Sequence, residues 1–545
     1  MTDLLTGPGA ASLPRPGSES DARHPMDKLL DEVLERHKQP EDRYEIAAIL
    51  ESLGWNDMRA SRTFGVEDVF ELASDLWERS RTRVLYTPFA KAQAMSFREM
   101  FVSLLRTFIR GVIFAFPMAV SVFSMLTLKF SLWSYENLSV ELATAIAIGT
   151  IFSFVTVGGF TQAIARRGFF YIIQGYYNMA RRITFHFIGL GFIMCIVLSV
   201  LFFLINLVIQ LFPLSMVAVI ILYFFFLNTI WLSVTVMYIL KKELLFTGLI
   251  ILGIGVVYVL FELGGINIIV SQLISLALVS LVSIIAVIWL FKQAERKAEK
   301  GIQPQLPKMS VTIYSTLPYF LYGVLYFSLL YIDRIMAWST NNTFTMPYFI
   351  WFRGEYELGL DFALLVLIVP MGIAEVVLTK LMMDIEVSQK EYWGDETDLM
   401  NRRFKRMYYN RLALIGSIAA ASAVGLYFAL KRLFWIYKVP IGQTLFENSL
   451  THTVFLLALG AYVLLAAALM NAVIMFSLSQ PYMVLRDIWP AFLINIASGF
   501  LLSRWFGYQY AAVGLVLGSV VFLALSTRSV RKVLGNLDFY LYAAS

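Results

Sequence analysis

Twelve long apolar runs decide what this chain can fold into. They lie near 108–132, 139–163, 184–211, 215–240, 244–263, 266–291, 311–337, 358–381, 411–430, 452–478, 484–503 and 509–528. Each has the length, about 17–25 residues, needed to cross the hydrocarbon core of a bilayer as a helix. Lipid offers no partner to a backbone N–H or C=O, so runs of this length must satisfy themselves as helices. The expectation is an all-α polytopic membrane protein of about 12 transmembrane helices, with membrane lipid as its surroundings. Composition agrees: 59% of residues are hydrophobic and only 15% are charged. Several chemistries are excluded at this stage. Cys195 is the single cysteine and sits in an apolar run, so there is neither a disulfide framework nor a thiolate metal cluster. His24, His37, His186 and His452 are scattered, with no i, i+4 pair to hold a metal. No phosphate-cradling loop ending in Lys-Ser/Thr occurs, so the chain carries no ATP-driven motor of its own. No metal, no cofactor and no nucleic acid partner are expected.

The basic residues orient the runs. Loops after even-numbered runs hold Arg166, Arg167, Arg181 and Arg182, then Lys241 and Lys242, then Lys292, Arg296, Lys297 and Lys300, then Arg402, Arg403, Lys405 and Arg406. Loops after odd-numbered runs are short or neutral, with Lys129, Arg353, Lys431, Arg432 and Lys438 as exceptions. The bias of Lys and Arg toward cytoplasmic loops then places both termini in the cytoplasm, with an even number of spans in the cell (inner) membrane.

The first hundred residues follow other rules. Residues 1–25 are rich in Pro, Gly and Ser and lack the layout of a signal peptide, which reads as a disordered tail. Residues 26–85 show helical periodicity in about three pieces, with Gly54 and Gly65 as stops and Asn56 as an N-cap, and form a small cytoplasmic helical module. Residues 95–111 alternate apolar and basic residues, as an interfacial helix leading into the first span would. The rest divides into an N-lobe, 95–300, with spans 1–6, and a C-lobe, 301–545, with spans 7–12. The halves resemble each other: Pro117 and Pro318 occupy corresponding first spans, and each half closes with a tight outer turn into a helix rich in small residues. Two such repeats are expected to face each other across a cavity that holds the substrate. Pro117, Pro318 and, in span 8, Pro370 are the candidate hinges.

Ionisable residues inside apolar runs are costly, so each needs a partner, a wet cavity or a nearby interface. Asp333 and Arg334 close span 7; as sequence neighbours they point about 100° apart and need separate partners. Asp333 reads either as an interfacial anchor beside a snorkelling Arg334 or as the rim of the inter-lobe cavity. In span 8, Glu357 and Asp361 are i, i+4 on one face, and Glu375 lies near that face further in. Such a stripe suits a wet pathway, although Glu375 could instead pair with Lys380. Arg110, at the inner start of span 1, is the candidate from the other half, with a positive-inside anchor as its alternative reading. Arg486 and Asp487 read as a structural pair at the start of span 11.

Six plus six spans with an Asp-basic pair in "YIDRIMAW" resemble the multidrug/oligosaccharidyl-lipid/polysaccharide (MOP) exporter superfamily over roughly 100–530. Within it, Pro347 to Trp393 is similar to the membrane component of the Pel exopolysaccharide machinery. The matching features are an outer loop, a span with central Ile368, Val369 and Pro370, Glu375 near its inner end, and then Tyr392, Tyr408 and Tyr409. The N-terminal module is extra, and span 1 ends in "LKFSLWS" without an aspartate. The resemblance implies a non-enzymatic exporter or flippase for a polysaccharide or lipid-linked oligosaccharide in exopolysaccharide biosynthesis, working by alternating access. It also implies cytoplasmic glycosyltransferase or other synthase subunits as partners. A cation-coupled drug antiporter of the same fold is the alternative, and a membrane-embedded ligase or glycosyltransferase is the alternative of another class.

Overall fold

The computed structural model describes residues 25–36, 42–84, 97–297, 307–341, 346–391, 397–437 and 440–542. The expected disordered tail before Pro25, and with it Lys300, Tyr392 and Lys438, lies outside the described residues. The chain separates into two compact units, Met1–Ser96 and Phe97–Ser545.

The first unit contains four described helices rather than about three: α1 Pro25–Arg36, α2 Arg43–Ser52, α3 Asp57–Phe64 and α4 Val69–Val84. Helix α3 is short and polar, and buries only Ala60, so its periodicity is too faint to separate it from a loop. Its ends are nevertheless well specified. Asn56 Oδ1 accepts from Arg59 N at 2.9 Å, and Gly65 takes the left-handed conformation that closes a helix. Leu30, Val33, Ile46, Leu50, Leu72 and Leu76 form the core, none of them more than 0% exposed.

In the second unit, spans 1–6 are Phe97–Leu128, Val140–Ile173, Tyr177–Ile209, Leu214–Ile239, Glu243–Leu263 and Ile268–Lys297. Span 7 is Met309–Trp338, and span 8 is Gly354–Leu364 continued, through a 3₁₀ turn at Leu365–Leu367, by Ile368–Glu391. Spans 9–12 are Thr397–Tyr437, Ser449–Ser477, Pro481–Phe506 and Ala511–Val533. Eleven of these helices are individually long and apolar enough to cross a membrane, and the twelfth is a bent pair, Phe101–Ile113 and Phe116–Leu128. The bend, 52°, falls directly before Pro117, whose ring removes a hydrogen bond to the preceding turn. The amphipathic stretch expected as a separate interfacial helix is thus the first half of span 1. No strand occurs among the described residues, only an isolated bridge between Phe130 and Tyr135.

Several spans run well beyond the hydrocarbon. Span 2 has 34 residues and span 9 has 41, about 50 and 60 Å at 1.5 Å per residue, against a core of about 30 Å. Arg166, Arg167, Arg182, Arg402 and Arg406 therefore sit on helical extensions, where the sequence had suggested loops. Arg181 is held there by Glu295 of span 6 at 2.6 Å.

Spans 1–6 pack as one bundle and spans 7–12 as another. The bundles meet where span 1 crosses span 8 and span 2 crosses span 7. These two crossings exchange under the relation that carries the first six spans onto the second six. Both are made by glycines. A Cβ on Gly111 would lie 2.7 Å from Gly372 Cα, and one on Gly323 would overlap the Gly158 backbone. Small residues are what allow membrane helices to approach this closely. The crossings also correct the matching of the prolines. Pro117 follows its crossing glycine in the chain and Pro318 precedes its own, so the two are not equivalent positions. Beyond the crossings, Phe154 of span 2 stacks on Phe327 and Tyr331 of span 7, with centroids 5.7 and 5.3 Å apart. Further along, the segment between spans 7 and 8 reaches the N-lobe: Phe352 N donates to Thr144 Oγ1 at 3.1 Å.

Candidate functional site

Two adjacent pairs, Asp333–Arg334 on span 7 and Tyr356–Glu357 on span 8, interlock. Neighbours on a helix point in different directions, and the structure gives each its own partner. Tyr356 donates its hydroxyl proton to Asp333 Oδ2 at 2.8 Å. Arg334 donates through Nη1 to Glu357 Oε2, and through Nη2 to Asp361 Oδ1 at 3.1 Å. The i, i+4 spacing of Glu357 and Asp361 lets one guanidinium reach both. The guanidinium also lies 5.0 Å over the ring of Tyr331, one turn earlier on its own helix.

Burial divides the cluster. Asp333 is 0% exposed and Glu357 and Arg334 are buried, while the Asp361 side chain keeps 60% of its surface open. This corrects the expectation that Asp333 is solvated from a cavity. Its carboxylate is sealed, with a tyrosine hydroxyl in the place of water. It also removes the anchor reading of a snorkelling Arg334, since the guanidinium turns inward to two carboxylates.

The one guanidinium thus pairs with a buried carboxylate, Glu357, and an open one, Asp361, while the buried Asp333 carboxylate beside it is held by a neutral hydroxyl. Buried charge without compensation is expensive. Asp333 Oδ1, Glu357 Oε1 and Tyr462 OH are in addition buried without a hydrogen-bond partner. Asp361 is the member of the cluster that is open to its surroundings. No group of three potential metal ligands occurs among the described residues.

Glu375 and Arg110 are elsewhere. Glu375 lies fourteen residues beyond Asp361, about 21 Å along a helix, exposed and beside the Gly111–Gly372 crossing. Arg110 is exposed on span 1 next to Gly111. Neither has an ion-pair partner among the described residues, and Lys380 is not paired with Glu375. The acidic stripe of span 8 is therefore two separate features. Pro370 follows the 3₁₀ turn that interrupts this same span, and Pro318 is buried inside span 7. Arg486 and Asp487 approach to 3.8 Å at the start of span 11, as the sequence suggested.

Tyr356, Tyr331 and Tyr462 are the members that sequence reading missed. Tyr356 adjoins Glu357 just as Asp333 adjoins Arg334, and this doubling of neighbours was the one available signal. Arg353 and Arg504 are explained as well. Arg353 donates to Thr340 O at 2.9 Å and Arg504 to Met336 O at 3.1 Å, so the two cap the carbonyls that end span 7.

No protein-family model matches the chain, and no curated protein sequence does. Solved structures do. The eukaryotic MATE transporter AtDTX14 superposes with a TM-score of 0.53 at 14% identity, over 80% of this chain and 99% of that one. The Vibrio cholerae MATE transporter VcmN gives 0.52 at 13% identity, over 80% and 97%. The inward-facing conformation of a multidrug resistance MATE family transporter of the MOP superfamily gives 0.52 at 12%, over 78% and 98%. At such identities the likeness is one of fold: this multi-pass, all-α membrane protein has the two-lobed fold of the MATE transporters.

Proposed function

We propose that this protein is an inner-membrane exporter that moves a polysaccharide or lipid-linked oligosaccharide outward by alternating access, driven by proton or cation uptake at the Asp333–Arg334–Glu357–Asp361 cluster. The observation that carries the mechanism is the pair of glycine crossings. Two compact bundles that touch backbone to backbone at two related points can rock about them while the space between them opens to either side. A cation or cargo that competes for the open Asp361 carboxylate would weaken its hold on Arg334 and so change what spans 7 and 8 present to that space.

The polysaccharide cargo rests on the Pel-like stretch of the sequence. It is supported by the half-buried rings of Phe154, Tyr326, Phe327 and Tyr331, which give the lobe boundary an aromatic lining of the kind that packs against sugar rings. The open carboxylate of Asp361 suits a polymer with amino groups, and equally a cationic drug in an antiport cycle, the second reading. Loss of the gene separates them. Reduced secreted polymer with unchanged drug susceptibility supports the polysaccharide reading, and the reverse pattern supports the antiporter. Synthase subunits on the cytoplasmic side are the partners the first reading requires.

A further inference from the structure

At the basic end of the bundle, span 2 leans against the start of span 7 and the turn between spans 10 and 11. A cavity of about 340 Å³ lies between them. Arg166 reaches across the lobe boundary to Ser479 Oγ at 3.0 Å and stacks 5.3 Å over the ring of Tyr319. Arg167, its neighbour, turns the other way and donates to Ser315 Oγ. Ser479 holds its position in a left-handed conformation, φ 58°, which side-chain-bearing residues seldom adopt.

The cavity is notable for what faces it. Two guanidiniums, two serine hydroxyls and three tyrosines line it, and no carboxylate does. Elsewhere in the membrane unit Arg181, Arg334 and Arg411 each have an acidic partner. Arg166 and Arg167 have only neutral ones among the described residues. Two forked cations with donors around them and no countercharge form a site for a tetrahedral oxyanion. The rim is apolar and open: Tyr314 is 70% exposed and Tyr482 59%, as befits rings at the level of lipid headgroups. Basic pockets between membrane helices on the cytoplasmic side are where anionic headgroups bind.

We propose that this cavity binds the phosphate of an anionic lipid, which bridges Arg166 and Arg167 to span 7 and the span 10–11 turn and so ties the two lobes together at their inner ends. The inference stands apart from the transport reading, because the site would bind such a lipid whatever the cargo. Arginines serving only as positive-inside anchors would meet headgroups one at a time and select none.

The test uses the purified full chain. Native mass spectrometry is expected to find one phosphatidylglycerol retained, with phosphatidylcholine not retained. Arg166→Gln combined with Arg167→Gln should weaken retention on the order of tenfold, as loss of hydrogen bonds to a charged group does. Dihexanoyl phosphatidylglycerol should raise the melting temperature of the wild type and not that of the double glutamine variant. Should that variant fail to fold, Arg166→Lys with Arg167→Lys keeps both charges without the forks and should bind between the two extremes. Equal retention by wild type and variants would overturn the site. If inorganic phosphate matched dihexanoyl phosphatidylglycerol in the melting experiment, the lipid would be overturned as the source of the phosphate.

Discussion

Arg334 divides its donors between a buried carboxylate and an open one, and the division gives the two acids different duties. Glu357 is the structural partner. Arg334→Gln leaves it buried without a countercharge, an event that costs on the order of 3–5 kcal/mol, so the variant should show lower membrane abundance and a lower melting temperature in detergent. Asp361 is the accessible partner. Asp361→Asn keeps the Arg334–Glu357 pair, so abundance should match wild type while export falls; normal export at normal abundance would remove Asp361 from the mechanism. Tyr356→Phe takes the hydroxyl from a sealed Asp333, and an unsatisfied buried acceptor of this kind costs about 1–3 kcal/mol. Its melting temperature should fall less than that of Arg334→Gln. Much of this site was legible in the sequence: the need of Asp333 and Arg334 for separate partners, and the shared face of Glu357 and Asp361, follow from helix geometry. Which partner each acquires depends on the register between spans 7 and 8, and nothing local to either span encodes that.

At the scale of elements, the lobes are joined by absent side chains. Gly323→Ala would drive a methyl into the Gly158 backbone, where overpacking costs about 1–3 kcal/mol, and the melting temperature should drop. Gly248 has nothing within 4 Å of its missing Cβ, so Gly248→Ala is the control and should be neutral or slightly stabilising. Equal effects at the two positions would mean that the crossing is not tight. The spans themselves were readable from the length of their apolar runs, and their number survives the structure. Their ends were not, because a helix continues past the hydrocarbon wherever its polar residues still favour it, as span 9 does through Arg402 and Arg406. Topology is a separate matter and rests on the basic residues. Reporter fusions after Arg81, Lys300 and Arg528 should report cytoplasm, and one near Asn342 the outside; an external signal at Arg528 would contradict an even number of spans.

For the whole molecule, the two units pose separate questions. The N-terminal helices carry capped ends and a closed core of their own, with exposed Tyr44, Met58 and Phe70 at their surface. If they dock a synthase subunit, deletion of residues 1–85 should leave insertion intact and lower polymer output, and unchanged output would show the unit to be dispensable. The membrane unit poses the question of motion. Its two-bundle plan could be anticipated from six plus six runs, whereas the glycine crossings join positions far apart in the chain and no single run displays them. Alternating access requires the outer and inner gaps between the lobes to change in opposite senses. The direct measurement is electron–electron distance between spin labels in a Cys195→Ala background, with Asn137→Cys and Glu447→Cys reporting one end and Ile173→Cys and Lys532→Cys the other. Across the conformers present one distance should lengthen as the other shortens, and Asp361→Asn should shift the balance between them. Two distances that stay fixed, or that move together, would contradict rocking of the lobes and with it the exporter mechanism.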